Sequence, residues 1–129
     1  MTVKYKVISR KNPSDLTAPP KYYPSVNAGG RLRLRQLAKR IAEISTVSSV
    51  DTMAVLEGLL TVLPQEIING NIVELGDFGS FWLRIKSEGS ETAEEVSAQN
   101  ILNTLPKFTP GKEFKQVLQT VEFRKDSGA

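Results

Sequence analysis

The spacing of apolar residues changes along the chain from alternation to a helical repeat. Near the N-terminus, Val3, Tyr5 and Val7 alternate with lysines, which is the two-residue period of a strand with one polar face. From residue 33 onwards the apolar positions recur every three or four residues, the period of an amphipathic helix. These positions are Leu34, Leu37, Ala38, Ile41 and Ala42. The pattern therefore predicts a strand near residues 3–9 and, after a stretch rich in Pro and Gly, a first helix.

A second helix is predicted after a Ser/Thr-rich interruption at residues 45–49. Its apolar residues are spaced alternately three and four positions apart, which suits packing against another helix. These residues are Met53, Leu56, Leu60, Leu63 and Ile67. Leu59 and Ile68 widen the stripe beyond what one small helix can cover in a monomer. The pattern favours dimerisation, and a core formed within one chain is the alternative that it leaves open.

The next segment predicts two strands separated by a turn. Residues 72–75 form a short strand, and a Gly-containing turn follows it. Alternate apolar residues of the stretch 81–85 then face one side of a longer strand. Trp82, Arg84 and Lys86 face the other side.

The last third of the chain predicts an exposed acidic loop at residues 87–95 and a returning strand over 96–108. A short helix is expected to open near Thr109, which would cap it, with a proline at its first position. A final strand near residues 120–125 is expected to pair with the first strand in an added sheet. The predicted buried face of that sheet consists of Tyr5, Val7, Val121 and Phe123.

Composition removes several kinds of chemistry. The 129 residues include no His and no Cys, so the commonest general base, the commonest metal ligand and all thiolate chemistry are missing. No group of residues converges on catalysis, and we predict no catalytic residue, metal site, cofactor or small-molecule substrate. No apolar run reaches 18 residues, so no membrane span is expected.

The net charge of +3 hides a strong asymmetry along the chain. Residues 1–40 carry ten Lys/Arg and one acidic residue, residues 41–100 carry a net −8, and residues 101–129 carry +2. The basic first third suggests a polyanionic partner, because clustered cations neutralise phosphates and release counterions. A solvated basic tail would give the same pattern, and charge alone does not separate the two.

The order of the elements and two motifs resemble the family of HU and integration host factor. Residues 77–81, Asp-Phe-Gly-Ser-Phe, match the family's glycine-phenylalanine-glycine-threonine/serine-phenylalanine segment after the second helix. Pro106, Phe108, Gly111 and Lys112 match the proline-x-phenylalanine-x-x-glycine-lysine opening of its last helix. The whole chain is similar to the HU-related, histone-like DNA-binding proteins of Bacteroidetes.

This resemblance covers about residues 33–120. It implies an α+β fold and an intertwined homodimer, with a helix pair, a three-stranded β saddle with an arm, and a short C-terminal helix. We expect an N-terminal extension over 1–29, an HU-like DNA-binding and dimerisation domain over 30–119, and a C-terminal strand and tail over 120–129. The dimer core would consist of Leu56, Leu60, Leu63, Ile67, Phe78 and Phe81.

The resemblance implies a histone-like protein of the bacterial cytoplasm and nucleoid that binds double-stranded DNA with little sequence preference. Arg84 and Lys86 match basic positions on the saddle strand, and Lys112 matches a phosphate contact that Lys115 would extend. An ordinary solvated surface is the alternative at each position. The basic first third supplies further candidates for nucleic-acid binding, which are Lys4, Lys6, Arg31, Arg33 and Arg35.

The predicted arm departs from the family. The arm of HU is rich in arginine and ends in an arginine-asparagine-proline tip, whereas residues 87–96 hold four glutamates and no Lys, Arg or Pro. Carboxylates repel phosphate, and no apolar wedge is present, so bending of DNA by intercalation is not expected. The alternative function is an HU-derived structural or protein-interaction module whose acidic arms bind a basic partner or mimic DNA.

Overall fold

A computed structural model describes residues 2–126 of the chain. Within these residues the chain is a mixed α+β protein with three helices and two small sheets, as the sequence pattern predicts. In chain order the elements are β1 (Thr2–Arg10), β2 (Lys21–Val26), α1 (Leu34–Glu43), α2 (Ser49–Ile68), β3 (Val73–Glu74), β4 (Gly79–Ser87), β5 (Ile101–Pro110), α3 (Lys112–Leu118) and β6 (Glu122–Lys125).

The chain divides into two compact units. The first contains the described residues up to Arg33 together with those from Val117 onwards, and the second is Leu34–Gln116. Each unit contains one three-stranded sheet: the terminal sheet, with strand order β2-β1-β6, and the central sheet, with strand order β3-β4-β5. Helices α1 and α2 belong to the second unit.

The terminal sheet joins the two ends of the described chain. Strand β1 pairs in parallel with β6, which confirms the predicted pairing of the first and last strands, and in antiparallel fashion with β2. The predicted buried face is wrong, because Val7 is 47% exposed and Phe123 is 63% exposed. Val121 precedes β6 rather than lying in it. A single three-stranded sheet cannot bury a face without a second layer over it.

The helix pair of the second unit forms from local signals that the sequence displays. The Ser48 Oγ accepts a hydrogen bond from the Asp51 backbone N–H at 3.1 Å, which caps the start of α2. The side chain of Ala38 on α1 is fully buried where the two helices meet. Among the described residues, no helix has both the length and the apolar character needed to cross a membrane.

One chain buries little of the apolar surface of α2. Leu60 is 59% exposed and Ile68 is 78% exposed. Among the described hydrophobic residues only Ala38 and Ile67 fall in the buried class. A single chain therefore lacks the set of fully enclosed side chains that usually stabilises a domain of this size.

The core of the central sheet is an aromatic cluster. Phe81 on β4 lies opposite Phe108 on β5, with ring centroids 4.8 Å apart. Phe114 of α3 packs edge-on against Phe78 with a centroid separation of 4.9 Å. Contacts of this geometry add to the stabilisation that burial of the rings already provides. Through this cluster α3 packs against the central sheet and the turn before β4.

Two sequence predictions near β5 are wrong. The returning strand begins at Ile101 rather than at residue 96, because two short 3-10 turns occupy Ala93–Glu95 and Ala98–Asn100. Thr109 does not cap α3, since the β4–β5 ladder continues to residue 110 and α3 begins only after it.

Gly111 is the point at which α3 meets the turn before β4. Its N–H donates a 2.8 Å hydrogen bond to the Phe78 carbonyl oxygen. A Cβ at this position would clash with the Asp77 carbonyl group and lie 3.0 Å from the Phe78 carbonyl carbon. Because the obstacle is backbone, the turn would have to move, and only glycine allows this approach.

We predict that Gly111→Ala lowers the free energy of unfolding by about 1–3 kcal/mol, the usual cost of forcing extra atoms into a packed site. Urea denaturation at a fixed protein concentration measures the effect. Gly89→Ala is the matched control, because no atom lies within 4 Å of a Cβ there. Equal stability of the two variants would contradict the proposed role of Gly111.

Candidate nucleic-acid interface

The face of the central sheet opposite the aromatic cluster carries both strand cations that the sequence pattern singles out. Arg84 and Lys86 are two residues apart on β4, so both lie on the face opposite Phe81. Both side chains are exposed. In the antiparallel register they lie opposite Leu105 and Asn103, neither of which is charged.

Lys107 is a third cation on this face, and it was not among the sequence candidates. It lies on β5 directly opposite Trp82. Because Phe108 points into the aromatic cluster, its neighbour Lys107 must face the other side of the sheet. Alternation around Phe108 could have identified Lys107, but only once the register of β5 against β4 was known.

We call Arg84, Lys86 and Lys107 the central cation group. They occupy three successive cross-strand positions of one face, and successive positions on a strand face are about 6.8 Å apart. Their backbone positions therefore fall within about 14 Å along the sheet. At the other end of the same face, Glu74 of β3 lies opposite Ser80, so the positive charge of β4 and β5 lies beyond Ser80 along the ladder.

Trp82, on the same face, is held by a side-chain hydrogen bond to β5. Its indole N–H donates a 2.8 Å hydrogen bond to the Thr109 hydroxyl oxygen. The bond links β4 to β5 through side chains and satisfies the polar edge of a half-buried ring. The Thr109 side chain therefore forms a hydrogen bond within the sheet and does not cap α3.

The two candidate lysines of α3 belong to the same unit as the central cation group. Lys112 is the first residue of α3, and Lys115 lies one turn later. Both are exposed. The hydrogen bond of Gly111 and the packing of Phe114 hold the helix start against the turn that precedes β4.

The acidic segment forms a compact loop between β4 and β5 rather than extended strands. The Asn100 side-chain amide donates hydrogen bonds to the Glu88 carbonyl oxygen at 3.0 Å and to the Ser90 hydroxyl oxygen at 2.9 Å. These bonds hold the two ends of the loop together. The acidic loop, as we call residues 88–100, has four exposed glutamates, which are Glu88, Glu91, Glu94 and Glu95.

The basic candidates from the first third divide between the two units. Lys4 and Lys6 lie on β1 of the terminal sheet, and Arg31 and Arg33 lie in the connecting segment before α1. Arg35 lies on α1 in the second unit. The second unit therefore brings together the central cation group, the α3 lysines and Arg35, while the other four belong to the first.

The predicted dimer-core residues differ in burial within one chain. Ile67 is buried, Leu56 and Leu63 are half-buried, and Leu60 is exposed. Phe78 and Phe81 belong to the aromatic cluster, although Phe78 remains 45% exposed. The assignment of these six residues to a dimer core stays a prediction.

Residues 2–126 contain no group of three or more Asp, Glu, His or Cys side chains that could hold a metal ion. Hydrogen bonds from the Thr17 hydroxyl and backbone N–H lower the pKa of Asp15, the single acidic residue of the basic first third.

Comparison with known proteins decides the family. The model of the HU-HIG family, described as an HU domain fused to a wHTH, Ig or glycine-rich motif, matches residues 1–125. The chain belongs to the HU-HIG family. The resemblance to HU that the two motifs indicate is confirmed.

Two solved structures share the fold of this HU-HIG chain. A candidate bacterial DNA-binding protein from Bacteroides vulgatus ATCC 8482 is 11% identical, with a TM-score of 0.66 over 96% of the chain and 47% of the Bacteroides protein. The chain thus spans about half the length of that protein. Anabaena HU in a cocrystal with DNA is 23% identical, with a TM-score of 0.55 over 69% of the chain and 99% of its own length. No curated protein sequence matches the chain significantly.

Proposed function

We propose that this HU-HIG protein binds duplex DNA through its phosphates, with little sequence preference, as a homodimer. The observation that carries the proposal is the central cation group on the solvent face of the central sheet. Arg84 and Lys86 are exposed and Lys107 is half-buried. Cations on one face of a sheet favour phosphate contacts, which position a protein on DNA without reading its bases. Lys112 and Lys115 on α3 would extend the same contact.

The names of the two structural neighbours support the same function. One is a candidate DNA-binding protein, and the other is an HU protein crystallised with DNA. The proposed setting is the bacterial nucleoid, where a protein without sequence preference meets DNA everywhere. The absence of His and Cys from the sequence gives no support to an enzymatic function.

Dimerisation is proposed because one chain leaves too much apolar surface open. Exposed side chains along α2 include Val55, Leu59, Leu60, Val62 and Ile68. Exposed apolar surface of this extent on one helix is unusual on a monomer and is typical of an interface. A second copy would cover the stripe by packing its own α2 against it, with Leu56, Leu60, Leu63, Ile67, Phe78 and Phe81 in the shared core.

The acidic loop limits how DNA can be held. Its four glutamates repel phosphate, and it contains no proline. The proposed mode is therefore attachment to the phosphate backbone without intercalation between base pairs.

The exposed glutamates also favour a second candidate function. A compact loop with four carboxylates and no cation has the charge of a nucleic-acid backbone and would suit a basic partner. In that case the protein would be an interaction module built on the HU fold.

We predict that the triple variant Arg84→Gln, Lys86→Gln, Lys107→Gln weakens binding to duplex DNA and reduces its salt dependence. Each lost phosphate contact lowers the slope of log affinity against log salt by about 0.9, so the slope should fall by about 2–3 for each chain of the dimer whose central cation group contacts the duplex. Fluorescence anisotropy with a labelled duplex at several salt concentrations measures both quantities.

A charge-matched control is the triple variant Lys39→Gln, Arg40→Gln, Lys125→Gln, whose residues belong neither to the central cation group nor to α3. It removes the same charge and should leave the slope nearly unchanged. If the wild-type protein does not bind any duplex at low salt, DNA binding is excluded.

The acidic loop has a test that separates the two candidate functions. Replacing Glu88, Glu91, Glu94 and Glu95 by Gln should tighten DNA binding, because repulsion of the phosphates is removed. If this variant binds DNA with unchanged affinity and loses binding to a polylysine probe, the result would favour the interaction module.

Dimerisation predicts an effect of Leu60→Glu that a monomer would not display. Leu60 is 59% exposed within one chain, so the substitution should cost a monomer little, whereas a buried carboxylate would break the dimer. Sedimentation at micromolar concentration should give a dimer mass for the wild type and a monomeric or unfolded variant. Leu16→Glu, at a residue 73% exposed in the β1–β2 connection, is the control and should remain dimeric. A monomeric wild type would refute the interlocked architecture.

A further inference from the structure

The terminal sheet has two chemically different faces. Alternation and register place Tyr5, Val7 and Phe123 on one face, together with aromatic and apolar residues of β2. The opposite face carries five exposed cations, contributed by all three strands. These are Lys4, Lys6, Arg10, Lys21 and Arg124, which we call the terminal cation face.

Like charges lie directly opposite each other on this face. Lys4 pairs in register with Arg124, and Arg10 pairs with Lys21. Like-charged residues in directly opposed positions destabilise a sheet. Glu122 lies on this face opposite Thr2 at the end of the register, so it does not separate either cation pair. Asp126, two residues beyond Arg124, accepts a 2.6 Å hydrogen bond from the Asn27 side-chain amide. An anion bound between these side chains would relieve the repulsion.

A pocket at the end of the β1–β2 hairpin continues the terminal cation face. Its volume is about 430 Å³, and its lining includes Arg10, Lys11, Lys21 and Tyr23. The Arg10 guanidinium lies over the Tyr23 ring, 5.7 Å from the centroid. Stacking on a ring restrains an arginine while leaving its planar N–H donors available for a phosphate.

The single acidic side chain of the hairpin connection does not neutralise the pocket. The Asp15 carboxylate accepts hydrogen bonds from the Thr17 hydroxyl at 2.6 Å and from the Thr17 backbone N–H at 3.0 Å. Asp15 is not among the residues that line the pocket. The positive charge of Arg10, Lys11 and Lys21 is therefore left for an external anion.

We infer that the terminal cation face and its hairpin pocket form a second binding surface for the phosphates of duplex DNA, separate from the central cation group. The inference rests on the proposed function and assigns Lys21 and Arg124 a role that the sequence pattern did not indicate. An anionic membrane fits the sheet less well, because most of its apolar residues, among them Tyr5, Val7 and Phe123, lie on the opposite face and would be left outside a contact made by the cations.

The test uses the full chain with one cation removed from each strand, as Lys6→Gln, Lys21→Gln, Arg124→Gln. This variant should reduce the salt slope of duplex binding by about 2–3 for each chain whose terminal cation face contacts the duplex, and weaken affinity at about 0.1 M salt by tenfold or more. The control is again Lys39→Gln, Arg40→Gln, Lys125→Gln, which changes the net charge equally. Circular dichroism and denaturation midpoints verify that both variants are folded.

Arg124 and Lys125 provide the sharpest comparison. They are neighbours on β6 with opposite facing, since Arg124 pairs with Lys4 and Lys125 pairs with Tyr5. Arg124→Gln should weaken DNA binding several-fold, and Lys125→Gln should not. Equal effects of the two substitutions would overturn the inference, because they would reflect net charge alone.

The remaining outcomes separate this inference from the proposed function. Failure of the wild type to bind any duplex would remove both. Wild-type binding that depends on Arg84, Lys86 and Lys107 but is unchanged by the terminal variant would overturn only the second surface. The same holds if the terminal variant keeps its DNA affinity and instead loses binding to vesicles of anionic lipid.

Discussion

The antiparallel register between β4 and β5 is the constraint on which the second unit, Leu34–Gln116, depends. It places Phe81 against Phe108 on one face and so builds the aromatic cluster that receives α3. The same register places Lys107 opposite Trp82 on the other face, next to the position of Arg84. Because strand side chains alternate, a slip of one residue in β5 would move Lys107 to the face of the aromatic cluster and Phe108 to the opposite face. Core and candidate interface are thus two consequences of one hydrogen-bonded ladder.

Positive and negative side chains occupy different structural elements of the chain. Cations are concentrated on one face of each sheet, while the four glutamates of residues 88–95 occupy a loop beyond the end of the central ladder. The net charge of +3 averages over surfaces of opposite character. A partner that approaches such a protein experiences the local fields, which decide orientation and rate of encounter more than total charge does.

The sequence predicted features that depend on local chemistry, and it missed those that depend on register. The helix pair, the turn before β4 and the short last helix all follow from spacing and from motifs around Phe78 and Gly111. Lys107 was missed because its orientation depends on its partner strand. The prediction that Tyr5 and Phe123 lie on a buried face was also wrong. Alternation predicts which side chains share a face but not whether another layer covers that face.

The parallel pairing of β1 with β6 has a consequence for how the chain folds. Thr2 and Glu122 are neighbours in the ladder although 120 residues separate them along the chain. Contacts of such high sequence separation carry a large loop-closure entropy and form slowly. During synthesis β1 and β2 can associate early as a hairpin, but the third strand arrives only when nearly the whole described chain has left the ribosome. Arg124 lies on that strand, so the terminal cation face of the first unit is completed last.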